Sequence, residues 1–205
     1  MTSRIPETFP APITPRKGLA ENAVCVFKGV IFEVWQWEQK MFDGTTEIFE
    51  RAYRIPSALI VAVVGEKIMI ERQSQPNHHN YLSLPSGMVE SGESILEGAK
   101  RELREETGYE SQEWSELLSF QSGAKVLHDV QYFVARNCQK VASPTLDGGE
   151  QIEVEFVDFD HFLKLYEDEQ FMTYPEFLRV LFLADTRPDK REELRRAMFG
   201  DQPQT

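Results

Sequence analysis

Glu102, Glu105 and Glu106 stand at i, i+3 and i+4 in a stretch where Ile95, Ala99 and Leu103 recur at helical spacing. On a helix these carboxylates share a neighbouring face. Each like-charged pair destabilises by roughly 0.2–0.5 kcal/mol, and the last turn already carries negative partial charge from the backbone. An ordinary exposed helix would place lysines there. The cluster makes chemical sense if a cation neutralises it, and an all-oxygen donor set suits a hard ion, Mg²⁺ or Mn²⁺ as its substitute. Such an ion can polarise a phosphoryl oxygen and acidify a bound water. Phosphoryl chemistry of this kind needs positioning and charge neutralisation more than a covalent nucleophile; no nucleophilic Ser or Cys motif is seen. The bland alternative is a solvated acidic face, partly neutralised by Glu97–Arg101 and Arg101–Glu105 pairs.

The helix is predicted from about Glu93 to Thr107, capped by Ser91 or Gly92 and stopped by Gly108 in a left-handed conformation. Upstream, Leu84-Pro85-Ser86-Gly87 bends the chain and lets a backbone carbonyl approach the same ion.

Read together, residues 87–109 are GMVESGESILEGAKRELREETGY, with Gly87, then Glu93, then the block Arg101 to Tyr109 in fixed register. On these residues the chain resembles the Nudix family of metal-dependent pyrophosphohydrolases. The resemblance implies an α/β fold in which a mixed sheet is sandwiched between helices. It also implies metal ligation by the Ser86 carbonyl and by Glu102, Glu105 and Glu106, with Glu93 as an outer carboxylate. Arg101 is similar to the family arginine that orients the glutamates, Glu105 joins the catalytic set, and Gly87 and Gly108 shape the box. The implied reaction is water attack on the phosphoanhydride of a nucleoside diphosphate linked to another group, giving a nucleoside monophosphate and a sugar phosphate.

The segment LDGGEQIEVEF (146–156) is similar to the acidic loop and strand that carries the general base in ADP-ribose-cleaving relatives. Glu150 fits best and Glu153 is the fallback, on a strand where Glu153 and Glu155 alternate with Ile152, Val154 and Phe156. Arg72 ends a predicted strand and could grip a phosphate or ribose in bidentate fashion; Arg51 and Arg54 are weaker candidates for the same task. Phe27, Phe32, Trp35 and Trp37 could include a base-stacking residue, though sheet packing suits most of them. His128 is a lesser candidate.

The elements fall into four stretches. Residues 1–22, with Pro6, Pro10, Pro12 and Pro15, are predicted as a mobile arm. Residues 23–56 alternate as an antiparallel β meander with a turn at Asp43-Gly44, ended by Arg54-Ile55-Pro56. The catalytic domain is predicted over 57–187, and a C-terminal helix and tail over 188–205. Within the domain, strands are expected at SALIVAVVG, at 67–75, 129–136 and 151–157, and helices at 160–167, 174–185 and 189–199. A polar loop is expected around His78-His79. The meander and the Arg72-Gln73 phrase resemble the ADP-ribose and nucleotide-sugar pyrophosphatase branch, which implies a homodimer that shares substrate contacts through the extension. A proline about fifteen residues beyond the box, usual in ADP-ribose-preferring relatives, is absent between Glu110 and Ser143.

The composition is that of a soluble globular chain: 205 residues, 41% hydrophobic and 27% charged. No apolar run is long enough to span a membrane, and no secretory leader is visible. Cys25 and Cys138 lack metal spacing and fit a reducing, cytoplasmic setting. A net charge of −12 argues against general nucleic-acid binding, but not against a phosphorylated substrate reached through a cation. Two other readings are open: a non-catalytic ligand-sensing module derived from the same fold, and isomerase-like chemistry. The first normally loses a glutamate, and the second needs a cysteine beside the site.

Overall fold

The computed structural model describes residues 17–200. Two units emerge. One holds the chain up to Pro56 together with Phe120–Val130; the other holds Ser57–Ser119 and the chain from Gln131 onward.

In the first unit, β1 (Val24–Lys28), β2 (Phe32–Lys40) and the start of β3 (Thr46–Val64) form an antiparallel meander, with Trp35 opposite Arg51. The turn between β2 and β3 forms because the Asp43 carboxylate accepts from both the backbone N–H and the hydroxyl of Thr45, while Gly44 takes φ 89°. Alternation along β2 sends Glu33, Trp35 and Trp37 inward. Trp35, Trp37 and Tyr53 pack with Ala23, Cys25 and Leu127, so the two tryptophans are core residues. Phe27 and Phe32 remain exposed.

Most of the predicted arm, residues 1–16, lies outside the described residues. Residues 17–22, however, are held in place. The Lys17 carbonyl accepts from Gln121, the Gly18 carbonyl accepts from Arg51 at 2.6 Å, and Leu19 and Ala20 pack against the core.

His128 is buried beside Arg54, with 3.5 Å between Nη1 and Nδ1. Burial first, and the Arg54 charge second, push its pKa down to about 4, against the pull of Asp129. An unfolded histidine takes up its proton near 6.5. The stabilisation is therefore complete above that value and is lost as pH falls from 6.5 towards 4. At about 1.4 kcal/mol per unit, wild type should lose about 2 kcal/mol between pH 7 and pH 5 from this group. In urea unfolding at the two pH values, His128→Gln should lose less by that amount; a parallel pH dependence would remove His128 as the source.

The second unit continues β3 and adds β4 (Lys67–Gln75), β5 (His78–Ser83), β6 (Ser86–Met88), β7 (Tyr109–Glu110), β10 (Gln139–Lys140) and β11 (Gln151–Val157), together with the part of β8 (Glu113–Ser122) up to Ser119 and the part of β9 (Val126–Arg136) from Gln131. Its helices are α1 (Ile95–Glu102), α2 (Phe159–Leu163), α3 (Pro175–Thr186) and α4 (Pro188–Phe199). β11 runs antiparallel to β4 with Glu153 opposite Arg72, β5 sets Ser83 opposite Glu71, and β6 sets Gly87 opposite Ala58. A parallel bridge joins Leu82 and Phe171.

Period-2 alternation explains the sandwich. Ala58, Ile60, Ala62, Met69, Phe133 and Ala135 pack with Ala99 and Leu103 of the box helix. Tyr132, adjacent to Phe133 and so on the other face, stacks on Phe177 of α3 with centroids 4.5 Å apart, and its hydroxyl meets Thr173 at 2.8 Å. Strands covered on both faces read as continuous apolar runs, as Ala58–Val63 does.

The sequence reading needs correcting in four places. Arg54-Ile55-Pro56 does not break the strand: Ile55 N–H still reaches Ile31 O, pairing with β6 begins at Ser57, and Pro56 sits where no ladder hydrogen is needed. The His78-His79 loop is instead the exposed start of β5, with His78 paired to Gln75. The segment after the box forms β8, which pairs with β9. The predicted 160–167 helix is split into α2 and a 3₁₀ turn, Lys164–Glu167.

Candidate active site

The site grows from the box helix. Ser94, not Ser91 or Gly92, caps it: its hydroxyl accepts from Glu97 N–H at 3.2 Å, and the Glu97 carboxylate accepts from Ser94 N–H at 2.6 Å. This reciprocal capping box uses Glu97 and leaves Glu93 ahead of the helix. After Glu102 the backbone widens into a π turn over Leu103–Thr107, with the Thr107 hydroxyl bonded back to Leu103 O. Gly108 ends it at φ 76°. Wider i→i+5 turns of this kind recur at functional sites.

Arg101 organises the carboxylates. It donates to Glu93 at 2.8 and 3.3 Å, to Glu102 at 2.9 Å, to Glu105 at 3.1 Å and to the Met88 carbonyl at 2.9 Å. Glu93 also accepts from Glu90 N–H at 2.7 Å. The hydrogen bond from Arg101 is the main reason the Glu93 carboxyl sits below its usual range. Glu106 is buried and accepts from Ser86 N–H at 2.8 Å. The start of β6 and the π turn that ends the box helix are thus tied directly.

The electrostatics follow burial. Glu106 is raised well above the ordinary carboxylate range by desolvation, then by Glu71 and Glu102. Glu102 rises to about 7 because desolvation outweighs the help of Arg101. Glu71, on β4, rises to about 8, again mainly through desolvation. The Glu150 charge adds to the shift of all three and of Tyr81, so Glu150 lies within electrostatic range of the cluster. Backbone bonds anchor the chain leading there: Val141 and Ala142 N–H to Gly108 O, and Thr145 N–H to Glu105 O.

Glu153 is not brought to this cluster. It lies opposite Arg72 and shares its face, whereas Glu71 and Gln73 lie opposite Val154 and Ile152 on the face packed by the box helix. Arg72 is paired with Glu155 at 2.7 Å and donates to Asn80 at 3.3 Å. Arg51 and Arg54 belong to the other unit, where Arg51 binds the Gly18 carbonyl and lies 5.8 Å from the Trp37 ring centroid. Sequence reasoning missed Glu71, Gln73 and Tyr81. The available signal was a carboxylate at an inward position of a strand that begins Ile68-Met69-Ile70.

Among the described residues, no three His, Cys, Asp or Glu groups already converge to hold a metal. Arg101 supplies the positive charge that gathers Glu93, Glu102 and Glu105. The two box glycines have separable duties. A Cβ on Gly87 would fall 1.9 Å from the Glu102 carboxyl, a movable side-chain end. On Gly108 it would fall 2.2 Å from the Ala142 carbonyl, at positive φ. Gly87→Ala should therefore fold with nearly normal stability while losing roughly 10²-fold in activity through a displaced Glu102. Gly108→Ala should lose at least about 1–2 kcal/mol of stability. Thermal melts and turnover on the same preparations separate the two; equal stability losses would refute the division.

Comparison with known proteins agrees with this geometry. Residues 53–178, more than half of the chain, match the NUDIX domain. The chain is 25% identical over 161 residues to the ADP-ribose pyrophosphatase of Bacillus subtilis, covering 75% of this chain and 87% of that one. It is 24% identical over 162 residues to the methanol dehydrogenase activator of Bacillus methanolicus, covering 77% and 88%. The ADP compounds hydrolase NudE of Escherichia coli is 24% identical over 155 residues, covering 73% and 82%. In fold, a crystal structure of an ADP compounds hydrolase superposes with TM-score 0.65 at 20% identity, covering 84% of this chain and 93% of that one. The turn, helix and arginine-gathered glutamates read from residues 87–109 lie inside the matched domain, and the chain belongs to the Nudix hydrolase family.

Proposed function

We propose that this hydrolase splits the phosphoanhydride of a nucleoside diphosphate joined to a second group, ADP-ribose or a nucleotide sugar, in a reaction dependent on Mg²⁺ or Mn²⁺. The observation that carries this reading is the crowding of buried Glu71 and Glu106 and half-buried Glu102 beside the start of β6 at Ser86-Gly87. The fit to a hard cation rests on donor chemistry: every group is an oxygen donor, and one buried carboxylate oxygen, Glu71 Oε1, has no hydrogen-bond partner among the described residues. The Ser86 carbonyl, Glu93, Glu102, Glu105 and Glu106 are the residues that would hold the ion. Bound there, it would withdraw charge from the phosphoryl oxygens and acidify water.

The chain's own groups account for the remaining roles. Arg101 fixes the orientation of Glu93, Glu102 and Glu105. Glu150 takes the proton of the attacking water as the new P–O bond forms and the anhydride P–O bond breaks, leaving a nucleoside monophosphate and a sugar phosphate. Arg72, near the end of β4 on the face opposite the cluster, would hold only a part of the substrate that extends past the strand, by exchanging its Glu155 partner. Arg51 and Arg54, with exposed Phe27 and Phe32, fit a base-side contribution from the N-terminal unit in a homodimer. The names of the relatives, an ADP-ribose pyrophosphatase and an ADP compounds hydrolase, support the substrate class. Both cysteines are buried thiols, which fits a reducing cytoplasmic setting. No described helix is long and apolar enough to cross a membrane.

The test is a phosphate-release screen of ADP-ribose, nucleotide sugars and nucleoside triphosphates, with Mg²⁺, with Mn²⁺ and with EDTA. Diphosphate compounds should be cleaved fastest, and EDTA should abolish turnover. Faster cleavage of triphosphates would overturn the substrate assignment, and undiminished turnover in EDTA would overturn the metal dependence.

A further inference from the structure

Glu71 is the carboxylate of the cluster that the box does not supply. It follows Ile68-Met69-Ile70 on β4 and is 0% exposed. Its Oε2 accepts from Gln73 Nε2 at 2.6 Å, and Gln73 Oε1 accepts from the Tyr81 hydroxyl at 2.9 Å. Among the described residues Oε1 has no hydrogen-bond partner, and neither has the hydroxyl of Ser83, 6% exposed, which sits directly opposite on β5. Two adjacent strands thus present two unmatched oxygens at one cross-strand position. Buried polar groups are nearly always hydrogen-bonded, and exceptions call for an explanation such as an ion or a water.

Three features separate a ligand role from a packing role. The register turns Glu71 to the face of Met69 and Val154, which the box helix covers, and away from the face of Arg72 and Glu153. The charges that act on it, Glu102, Glu106 and Glu150, are all of the same sign. The Gln73–Tyr81 chain fixes one oxygen and leaves the other available. A side chain present only to fill space would be apolar, like Met69 two residues earlier on the same face.

We propose that Glu71 is a further carboxylate of the cation site, supplied by β4 from outside the box, with Oε1 as an oxygen donor to a divalent ion held with Glu102 and Glu106. Ser83 Oγ stands beside it as a hydrogen-bond partner for water on that ion. This inference rests on the metal-dependent reading above and adds a residue that the box pattern does not contain.

The test is calorimetric titration of the full chain with Mn²⁺ and with Mg²⁺, without substrate, alongside metal-free melting temperatures. Glu71→Gln keeps the shape and the Gln73 contact region; Glu71→Leu matches the apolar neighbours. Both should weaken cation binding about 10–100-fold, the range for lost groups around metal sites, or remove one ion from the stoichiometry. The metal-free melting temperature of Glu71→Gln should stay level or rise. Wild-type affinity and stoichiometry in either folded variant would overturn the proposal. If wild type itself takes up no divalent ion, the metal-dependent reading fails as well, so the two failures are distinguishable.

Discussion

Glu106→Gln should remove about 10²–10³-fold from kcat, the scale seen when one preorganised electrostatic group is deleted from a transition-state site, while the metal-free protein folds as well as wild type or better. Both halves come from the same placement. Glu106 is buried next to Glu71 and Glu102, with Ser86 N–H as its hydrogen-bond donor. Glutamine keeps the volume and an acceptor for Ser86 while relieving like-charge crowding, so folding should not suffer. Catalysis should, because a neutral amide offers a cation far less than a carboxylate does. The measurements are kcat with saturating Mg²⁺ and the melting temperature with and without the ion. Wild type should gain stability on adding Mg²⁺ by mass action, and the variant should lose most of that gain. A large drop in metal-free stability would recast Glu106 as a packing residue.

The box was legible because two independent patterns coincide in it: Ile95, Ala99 and Leu103 mark the buried stripe, and the glutamates mark the opposite duty. Its start was misplaced by counting Glu93 into the helix, although Ser94 and Glu97 already spell a capping box. The π turn was not legible. It is accompanied by the Thr107 hydroxyl returning to Leu103 O and by the Val141 and Ala142 N–H bonds to Gly108 O, contacts that local propensity does not encode. The membership of Phe120–Val130 in the N-terminal unit was also hidden, since alternation reveals a strand but not which strands it joins. The same blindness concealed Glu71. Whether a strand carboxylate faces solvent or a cluster depends on register, and only the Glu71–Ser83 and Glu71–Val154 pairings decide it.

Register also decides between the two candidate bases. General-base loss costs about 10²–10⁴ in rate, so Glu150→Gln should fall in that range with cation affinity nearly intact. Glu153→Gln should lose much less. Glu150 closes a glycine-containing turn through its N–H to Asp147 O, and its charge is felt by Glu71, Glu102 and Glu106. Gly148 and Gly149 leave that turn free to adjust when substrate arrives, since a Cβ on either would meet nothing closer than 3.6 Å. Glu153 is fixed in β11 opposite Arg72, on the far side of the strand pair from the cluster. To reach the same water it would have to turn over a strand paired to β4 from Gln151 to Val157, which would flip every neighbouring side chain as well. The decisive measurement is kcat for both variants at several pH values, with Mn²⁺ affinity measured in parallel. If Glu153→Gln is the slower enzyme, the strand register cannot be what selects the base. If Glu150→Gln loses cation affinity in step with kcat, Glu150 is a ligand and not a base.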